Sequence, residues 1–386
     1  MAKTVRSTDL MLSILALASA FLTSTCLAEV GVTDTQILLG SSNDLTGGAK
    51  DVGIGMSSGA RSYFERVNAS GGINGRKLVY TAKDDAYDPA RALTNIKSLI
   101  ETSKVFAIIS SNGTPTTQAT MPYVTESKVP SLFAFTGSPI LYAQPPVANF
   151  FQLRVSYADE VASLVNFAVS DLNVRDIGVF YQDDAFGTVG RSGADKTLAE
   201  HGLKIHGTGT YARNSVDIAQ AVVDLKKANP KAVYMESVTA PGIAFIRACI
   251  ASDFKPIFLV VSATDISEIK KAFASESIEV YASEVMPSPY EDILPLQKDF
   301  HKDLQAYGDN RIDYYTMEGY LGAKTFVAAL KIIGKDLTRA KLISTIEGMK
   351  DVDLGGLTVT FGPKRHVGFS KNFIFNVHEG KVKLVR

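Results

Sequence analysis

The chain has 386 residues, and its 40 lysine and arginine residues balance 40 aspartate and glutamate residues. A net charge of zero without a basic block argues against nucleic acid or an anionic membrane surface as a partner. Five scattered histidines lack the spacing of metal ligands, so neither a metal nor a cofactor is expected. The chain is longer than one hydrophobic core usually grows, and two lobes are therefore expected.

The first 28 residues are typical of an export signal. Basic residues precede an apolar stretch at 10–22, and the small residues that end at Ala28 match a signal-peptidase site. We therefore predict cleavage near Ala28 and a periplasmic mature protein. Cys26 leaves lipidation open as an alternative. The mature chain would keep one cysteine, Cys249, whose apolar neighbours predict a core residue rather than a nucleophile.

From residue 37 onward, short apolar runs alternate with amphipathic stretches, which predicts parallel sheets covered by helices. Strands are expected at 37–40, 78–83, 105–110, 131–135, 177–181, 232–236, 257–261 and 280–285. Helices are expected at 91–101, 158–172, 192–201, 218–228 and 320–333. Alternating segments at 357–361 and 372–377 predict antiparallel edge strands near the C-terminus.

Two predicted strands are followed by a hydroxyl residue and a proline. The run at 105–110 leads to Thr114 and Pro115, and the run at 131–135 leads to Ser138 and Pro139. A proline after a serine or threonine cap is a helix-start signal. Helices that begin beside each other at the carboxyl ends of parallel strands direct unpaired N–H groups into one crevice. We therefore predict half of a site for a small anionic or zwitterionic ligand; ordinary strand-to-helix turns are the alternative.

The sequence contains only a poor match to one catalytic motif. Residues 55–59 match the Gly-x-Ser-x-Gly elbow of hydrolases around Ser57, but that elbow requires a strand directly before the serine, and here the match falls in an expected helix. Neither a dinucleotide fingerprint after a strand nor a Walker lysine motif is present. We therefore expect a protein that is not an enzyme, with a secreted hydrolase using Ser57 as the alternative.

Several motifs occur together in a characteristic order: Leu45-Thr-Gly47, Gly71-Gly-Ile-Asn-Gly-Arg76, Asp84-Asp85 before Asp88-Pro89, Gly113-Thr-Pro-Thr before Gln118, and Thr136-Gly-Ser138. In this order they resemble periplasmic solute-binding proteins of branched-chain amino acid type, the type I binding proteins of ABC importers. The resemblance covers essentially the whole mature chain.

The resemblance implies an α/β fold with two lobes, each a mainly parallel sheet flanked by helices. Three hinge crossovers would join the lobes, which close on the ligand. Proline-rich composition breaks near 144–154 and 285–290 match two crossovers, and the third is expected near 368–373. We therefore predict lobe 1 at 29–150 plus 287–369 and lobe 2 at 151–286 plus 370–386.

The resemblance also implies which residues contact the ligand. In lobe 1, backbone N–H groups and the hydroxyl of Thr114 would hold a carboxylate, with Phe135 and Gly137 beside it. In lobe 2, Phe186 would cover the ligand. The remaining candidates lie at or just beyond the ends of predicted strands: Asn112, Thr136, Ser237 and Ser262.

One position departs from the family pattern. Amino-acid binders of this family carry an acidic residue at the end of the strand equivalent to 257–261, where this chain has Ser262. A buried ammonium without that acid loses its charge partner, and Asp265 and Glu236 do not occupy the matching position. We therefore expect a small carboxylate without an α-amino group, with an aromatic or branched tail, delivered to an ABC permease in the inner membrane. An aliphatic amino acid as ligand and a sensing role remain alternatives.

Overall fold

The computed structural model describes residues 29–386. The predicted export signal at 1–28 lies outside the described residues. Among residues 29–386, no helix has both the length and the apolar composition needed to cross a bilayer.

The first sheet has five parallel strands in the order β2-β1-β3-β4-β5. They are β1 (Gln36–Asn43), β2 (Lys77–Asp84), β3 (Ala107–Ile109), β4 (Ser131–Leu132) and β5 (Phe150–Phe151). We call this sheet and the helices around it lobe 1. Its helices are α1 (Lys50–Ala69), α2 (Pro89–Lys97) with a π-helical turn at Ser98–Thr102, and α3 (Thr114–Ser127).

The second sheet, which we call lobe 2 together with its helices, has seven strands in the order β14-β13-β10-β9-β8-β6-β7. Five are parallel, and β13 and β14 are antiparallel additions at one side. The elements of its first part are α4 (Tyr157–Ser170), β6 (Ile177–Gln182), α5 (Ala185–Glu200), β7 (Thr208–Tyr211), α6 (Ala219–Ala228), β8 (Ala232–Glu236), α7 (Thr239–Ala251), β9 (Ile257–Val260), α8 (Ile266–Ala272) and β10 (Val280–Glu284).

The chain then returns to lobe 1 and finally to lobe 2. The lobe 1 part contains α9 (Pro295–Tyr307), α10 (Tyr314–Ile333) and α11 (Arg339–Gly348), followed by the small hairpin β11 (Val352–Asp353) and β12 (Thr358–Val359). Helices α9 and α10 pack on α1. The last strands, β13 (Phe373–His378) and β14 (Lys381–Leu384), complete the second sheet.

Three crossovers join the lobes, at 152–156, 285–294 and 360–372. The first and third lie side by side, because Gln152 pairs with Val367 in a parallel bridge. The predicted two-lobed α/β fold is confirmed. The lobe boundaries at 150, 286 and 369 stay a prediction.

Three local expectations were wrong. After β4 the chain forms only a three-residue 3-10 turn, Pro139–Leu141, instead of an α-helix, since Pro145 and Pro146 follow closely and cannot continue a helix. The segment predicted at 372–377 as an edge strand is internal, because β13 pairs with β10 on one side and β14 on the other. The predicted strand at 131–135 is also shorter, and its ladder ends at Phe133, which has a φ of 59°.

Glycines allow α1 and α10 to touch along their backbones. A Cβ atom on Gly59 would lie 1.9 Å from the carbonyl oxygen of Thr316, and one on Gly319 would lie 2.2 Å from that of Met56. Neither carbonyl can move without shifting its helix, so lobe 1 depends on these two missing side chains.

We expect Gly59→Ala to lower the free energy of unfolding by about 3 kcal/mol, because the added methyl group forces the two helices apart. Denaturant titration measures the effect. Gly348→Ala is the matched control, since Gly348 is an exposed helical glycine with no atom within 4 Å of its added Cβ. A Gly59→Ala protein as stable as the control would contradict the close contact.

Candidate ligand site between the lobes

A small cavity lies between the lobes beyond the carboxyl ends of β3 and β4. It is lined by Ala49, Val52, Tyr87, Asn112, Gly113, Thr114, Phe135, Tyr157, Phe186, Val238 and Ala263. None of these eleven residues has a charged side chain. The cavity measures about 10 Å³, which is room for about one water molecule. The described conformation is therefore closed around the site.

The two predicted strand ends meet at this cavity. The hydroxyl groups of Thr114 and Thr136 are 2.7 Å apart, and the Gly113 amide donates to the Phe135 carbonyl oxygen at 3.0 Å. Within residues 29–386, the backbone N–H groups of Thr114 and Gly137 donate to no protein acceptor. Thr114 is the first residue of α3, where the helix dipole is positive, so its amide and hydroxyl are suited to an anion.

Gly137 has a second role, in close packing. Its carbonyl oxygen accepts a hydrogen bond from the Tyr157 amide at 2.9 Å, and a Cβ atom on Gly137 would lie 2.3 Å from that same nitrogen. The missing side chain therefore lets the first turn of α4 approach the end of β4. This contact brings the Tyr157 ring into the cavity wall.

Asn112 lines the cavity and also supports the loop after β1. Its side-chain oxygen accepts a hydrogen bond from the Asp44 amide at 2.7 Å. The Asp44 carboxylate in turn accepts from the Ala49 amide at 2.7 Å, and Ala49 is part of the wall. Asn112 thus fixes the wall on the lobe 1 side.

Aromatic rings form much of the remaining wall. Phe186, the residue expected to cover the ligand, lies edge-on to Tyr157 with ring centroids 5.3 Å apart. Phe135 lies edge-on to Tyr315 at 5.4 Å. The structure therefore places Phe135 and Phe186 together with two aromatic residues, Tyr157 and Tyr315, that we did not predict from the sequence.

Two of the predicted contact residues, Ser237 and Ser262, do not line the cavity in the described conformation. The carbonyl oxygen of Ser237 accepts a hydrogen bond from the Thr264 hydroxyl at 2.7 Å, and the two hydroxyl groups are 3.2 Å apart. The amide and hydroxyl of Ser262 donate to Glu160 at 3.2 and 3.1 Å. Because these hydroxyls have buried partners, the next residues, Val238 and Ala263, line the wall in their place.

A buried charge network lies behind the wall. Arg154 contacts Glu160 and Glu318, and all three side chains are almost inaccessible to solvent. Burial raises the pKa of Glu318 to about 7, although the positive charge of Arg154 acts in the opposite direction. Burial also raises the pKa of Glu236 well above its usual range, and Tyr234 donates a hydrogen bond to this carboxyl group.

Glu236 and Asp265, the two acids outside the family's acidic position, do not line the cavity. Glu236 is bonded to Tyr234, and Asp265 caps α8 by accepting from the Ser267 amide at 2.8 Å. Asp265 lines a separate polar cleft at the side of the lobe junction.

Ser57 does not occupy a nucleophile elbow. It lies buried within α1, seven residues after the first residue of that helix, and its hydroxyl accepts a hydrogen bond from the Asn43 amide group at 2.7 Å. The strand-to-helix turn that exposes a catalytic serine is therefore missing at this position.

Direct contacts hold the lobes together around the cavity. The Tyr315 hydroxyl of α10 donates to the Ala263 carbonyl oxygen at 3.0 Å. Near residue 48, the side chain of Asn214 accepts from the Gly48 amide at 2.8 Å and donates to the Ala86 carbonyl oxygen at 3.1 Å. A ligand can enter only when the lobes separate, because these contacts and the side chains of the wall fill the cleft.

Comparison with known proteins agrees with this architecture. The family model described as periplasmic binding protein matches residues 36–381. Leu/Ile/Val-binding protein homolog 7 of Brucella abortus is 24% identical over 351 residues, which cover 85% of this chain and 84% of that protein.

Solved structures share the fold over nearly the full length. A possible leucine/isoleucine/valine-binding protein from Rhodopirellula baltica has a TM-score of 0.85 at 27% identity, covering 92% of this chain and 97% of that one. A fatty acid ABC transporter substrate-binding protein from Thermomonospora curvata has a TM-score of 0.80 at 22% identity, with coverages of 92% and 93%. These similar proteins are binding proteins rather than enzymes, and the family is extracytoplasmic. The chain therefore belongs to the periplasmic binding protein family, as a type I member of the branched-chain amino acid-binding group.

Proposed function

We propose that the chain is the substrate-binding component of an ABC importer and captures a small carboxylate without an α-amino group. The ligand would carry an aromatic or branched apolar tail and would bind in the cavity between the lobes. One observation carries this proposal: the wall offers hydrogen-bond donors suited to an anion, but no charged side chain that could pair with an ammonium group.

Donors for the carboxylate come from lobe 1. The Thr114 amide lies at the positive end of the α3 dipole, and the paired hydroxyls of Thr114 and Thr136 lie beside it. Backbone N–H groups at a helix start bind anions without a cationic side chain. A ligand carboxylate would therefore keep its charge here although the wall is otherwise apolar.

An ammonium group would be poorly accommodated. Two buried acids at the ends of lobe 2 elements, Glu160 and Glu236, do not line the cavity. Glu160 is bonded to Arg154 and Ser262, and one oxygen of Glu236 accepts from Tyr234 while its other oxygen has no partner in the described part of the chain. Burying a charge without a partner is strongly unfavourable. This favours oxo acids, aromatic acids or branched acids over the matching amino acids.

The names of similar proteins support both ligand classes. The Leu/Ile/Val-binding names of the B. abortus and R. baltica proteins favour a branched tail, and an aliphatic amino acid remains the alternative ligand. The T. curvata protein is named for fatty acids, which are carboxylates without an amino group. The wall residues Val52, Phe135 and Phe186 fit the apolar tail that all these ligands share.

We expect α-ketoisocaproate and phenylpyruvate to raise the melting temperature, and leucine and phenylalanine to raise it less. A ligand present at one hundred times its Kd stabilises the native state by about 2.7 kcal/mol, which corresponds to a shift of roughly 4 °C for a protein of this size. Each pair shares its tail and carboxylate and differs only at the α-carbon, which carries an oxo group in one and an ammonium group in the other, so thermal shift compares these two substituents. Stabilisation by leucine alone would favour the amino-acid alternative, and no stabilisation by any of the four would contradict the proposal.

Delivery to an ABC permease is the proposed use of the bound ligand. Deleting the gene should abolish uptake of the labelled ligand into cells. Unchanged uptake together with a lost transcriptional response to the ligand would instead favour the sensor alternative.

A further inference from the structure

Arg154 connects the two lobes behind the cavity. It lies on the first crossover, just after β5, with its side chain fully buried. One terminal nitrogen is 3.4 Å from a carboxylate oxygen of Glu318 on α10 of lobe 1. The other donates to Glu160 on α4 of lobe 2 at 2.9 Å, and also to the hydroxyl of Ser262, after β9 of lobe 2.

The same guanidinium group supports the wall that would face the ligand. Its central carbon lies 4.0 Å from the centroid of the Phe135 ring and 5.3 Å from that of the Tyr157 ring. Phe135 belongs to lobe 1, and Tyr157 begins α4 of lobe 2. A planar guanidinium can stack on rings while its nitrogens bind carboxylates in different directions, which a lysine ammonium cannot do.

We propose that Arg154 is a positioning residue that couples closure of the lobes to ligand contact. In the closed form it ties Glu318 of lobe 1 to Glu160 and Ser262 of lobe 2, and it fixes the Phe135 and Tyr157 rings against the cavity. We call the contacts of Arg154 with Glu318 in lobe 1 and with Glu160 and Ser262 in lobe 2 the tie. The tie follows from these contacts alone, whereas its effect on ligand affinity rests on the proposed function.

The tie favours the closed form because it is complete only there. In the closed form, Arg154 is bonded to both Glu160 and Glu318, which are shielded from water, and an oxygen of Glu318 can accept from Arg154 whether or not its carboxyl group is protonated. When the lobes separate, water can solvate whichever group loses its partner. Removing the contacts of Arg154 with either lobe therefore raises the free energy of the closed form more than that of the open form.

Closure can be measured without any ligand through an engineered disulfide. A Cβ atom on Gly48 would lie 3.1 Å from the Cα atom of Asn214 across the cleft, so cysteines at the two positions come within reach of each other in the closed form after a small local shift. In a Gly48→Cys, Asn214→Cys background, we expect Arg154→Lys to slow disulfide formation roughly tenfold, a typical size for coupling between sites.

The matched control is Arg339→Lys in the same background. Arg339 is a partly buried arginine of lobe 1 whose side chain donates to the carbonyl oxygens of Phe106 at 3.0 Å and Val105 at 2.7 Å, far from the tie. Its replacement should lower stability without changing the rate of disulfide formation. An equal slowing by both substitutions, or none by Arg154→Lys, would overturn the proposal.

A second variant covers the case in which Arg154→Lys does not fold. Glu318→Leu removes only the lobe 1 arm and leaves the contacts with Glu160 and Ser262 in place, and it should slow disulfide formation in the same way; an unchanged rate would overturn the proposal. With α-ketoisocaproate as probe, both variants should also bind roughly tenfold more weakly. If the probe fails to bind even the wild-type protein, the proposed function fails, whereas the disulfide rates still decide whether Arg154 ties the lobes.

Discussion

Replacing Thr114 by valine should weaken binding of α-ketoisocaproate about 30-fold, because a hydrogen bond to a charged group contributes about 2 kcal/mol. Valine keeps the branched shape of threonine and replaces the hydroxyl group with a methyl group. That hydroxyl lies at the start of α3, in the cavity wall, 2.7 Å from the Thr136 hydroxyl. Isothermal titration calorimetry measures the change.

Thr120→Val is the matched control for this substitution. Thr120 is a buried residue of the same helix, and its hydroxyl donates to the Thr116 carbonyl oxygen at 3.0 Å instead of facing the cavity. We expect the control to bind as the wild type does. The assignment of the carboxylate to the start of α3 fails if Thr114→Val binds normally, or if both variants lose affinity equally.

Affinity for the same anionic probe should rise as the pH falls from about 7 to about 5, by up to tenfold per pH unit. In the closed form, burial raises the pKa of Glu318 from its ordinary 4.5 to about 7, with Arg154 acting against this shift and Glu160 adding to it. When the lobes open, water lowers this pKa again. Closure therefore takes up a proton, and the closed form is favoured at the lower pH.

The pH range over which affinity changes follows from the two pKa values of Glu318, in the open and in the closed form. Below 4.5 the carboxyl group is protonated in both forms, and above about 7 it is ionised in both, so affinity changes only between them. The carboxyl groups of such ligands have pKa values below about 4, so the ligand stays negatively charged from about pH 5 to about pH 7. Calorimetry across this range should show a weaker pH dependence for Glu318→Gln, whose amide cannot titrate but can still accept from Arg154. A wild-type affinity independent of pH would contradict the mechanism.

Local signals in the sequence were sufficient to locate the lobe 1 half of the candidate site. Pro115 after Thr114, and the glycine at 113 with a φ of 103°, fix how the chain leaves β3 and enters α3. Such turns depend on neighbouring residues only, so they can be read from one sequence. Parallel pairing of β3 with β4 then brings Thr114 and Thr136 together.

The residues that lobe 2 contributes to the candidate site were harder to predict from the sequence. At the ends of β8 and β9, the residues facing the cavity are Val238 and Ala263 rather than Ser237 and Ser262. Which of two successive residues faces a cleft depends on how the chain turns after the strand and on distant partners. A sequence pattern with a period of two residues cannot decide this beyond the last paired residue.

Tyr157 and Arg154 were missed for different reasons. Ser156 and Asp159 form a capping box at the start of α4, a signal that could have marked Tyr157 as the first helical residue. Arg154 is a single basic residue in the apolar stretch 150–155. Its partners Ser262 and Glu318 are 108 and 164 positions away, so only the tertiary fold reveals the tie.

The buried cysteine has a practical consequence for studying this protein. Cys249 is the one free cysteine among residues 29–386; it is buried in α7, and burial raises the pKa of its thiol to about 12. Thiol reagents attack through the thiolate, so native protein should leave Cys249 unlabelled. A single cysteine introduced at Gly48, opposite Asn214, would then be the labelled site. A fluorophore attached there would report the opening and closing of the lobes, so the labelled protein would be a fluorescent sensor for its own ligand.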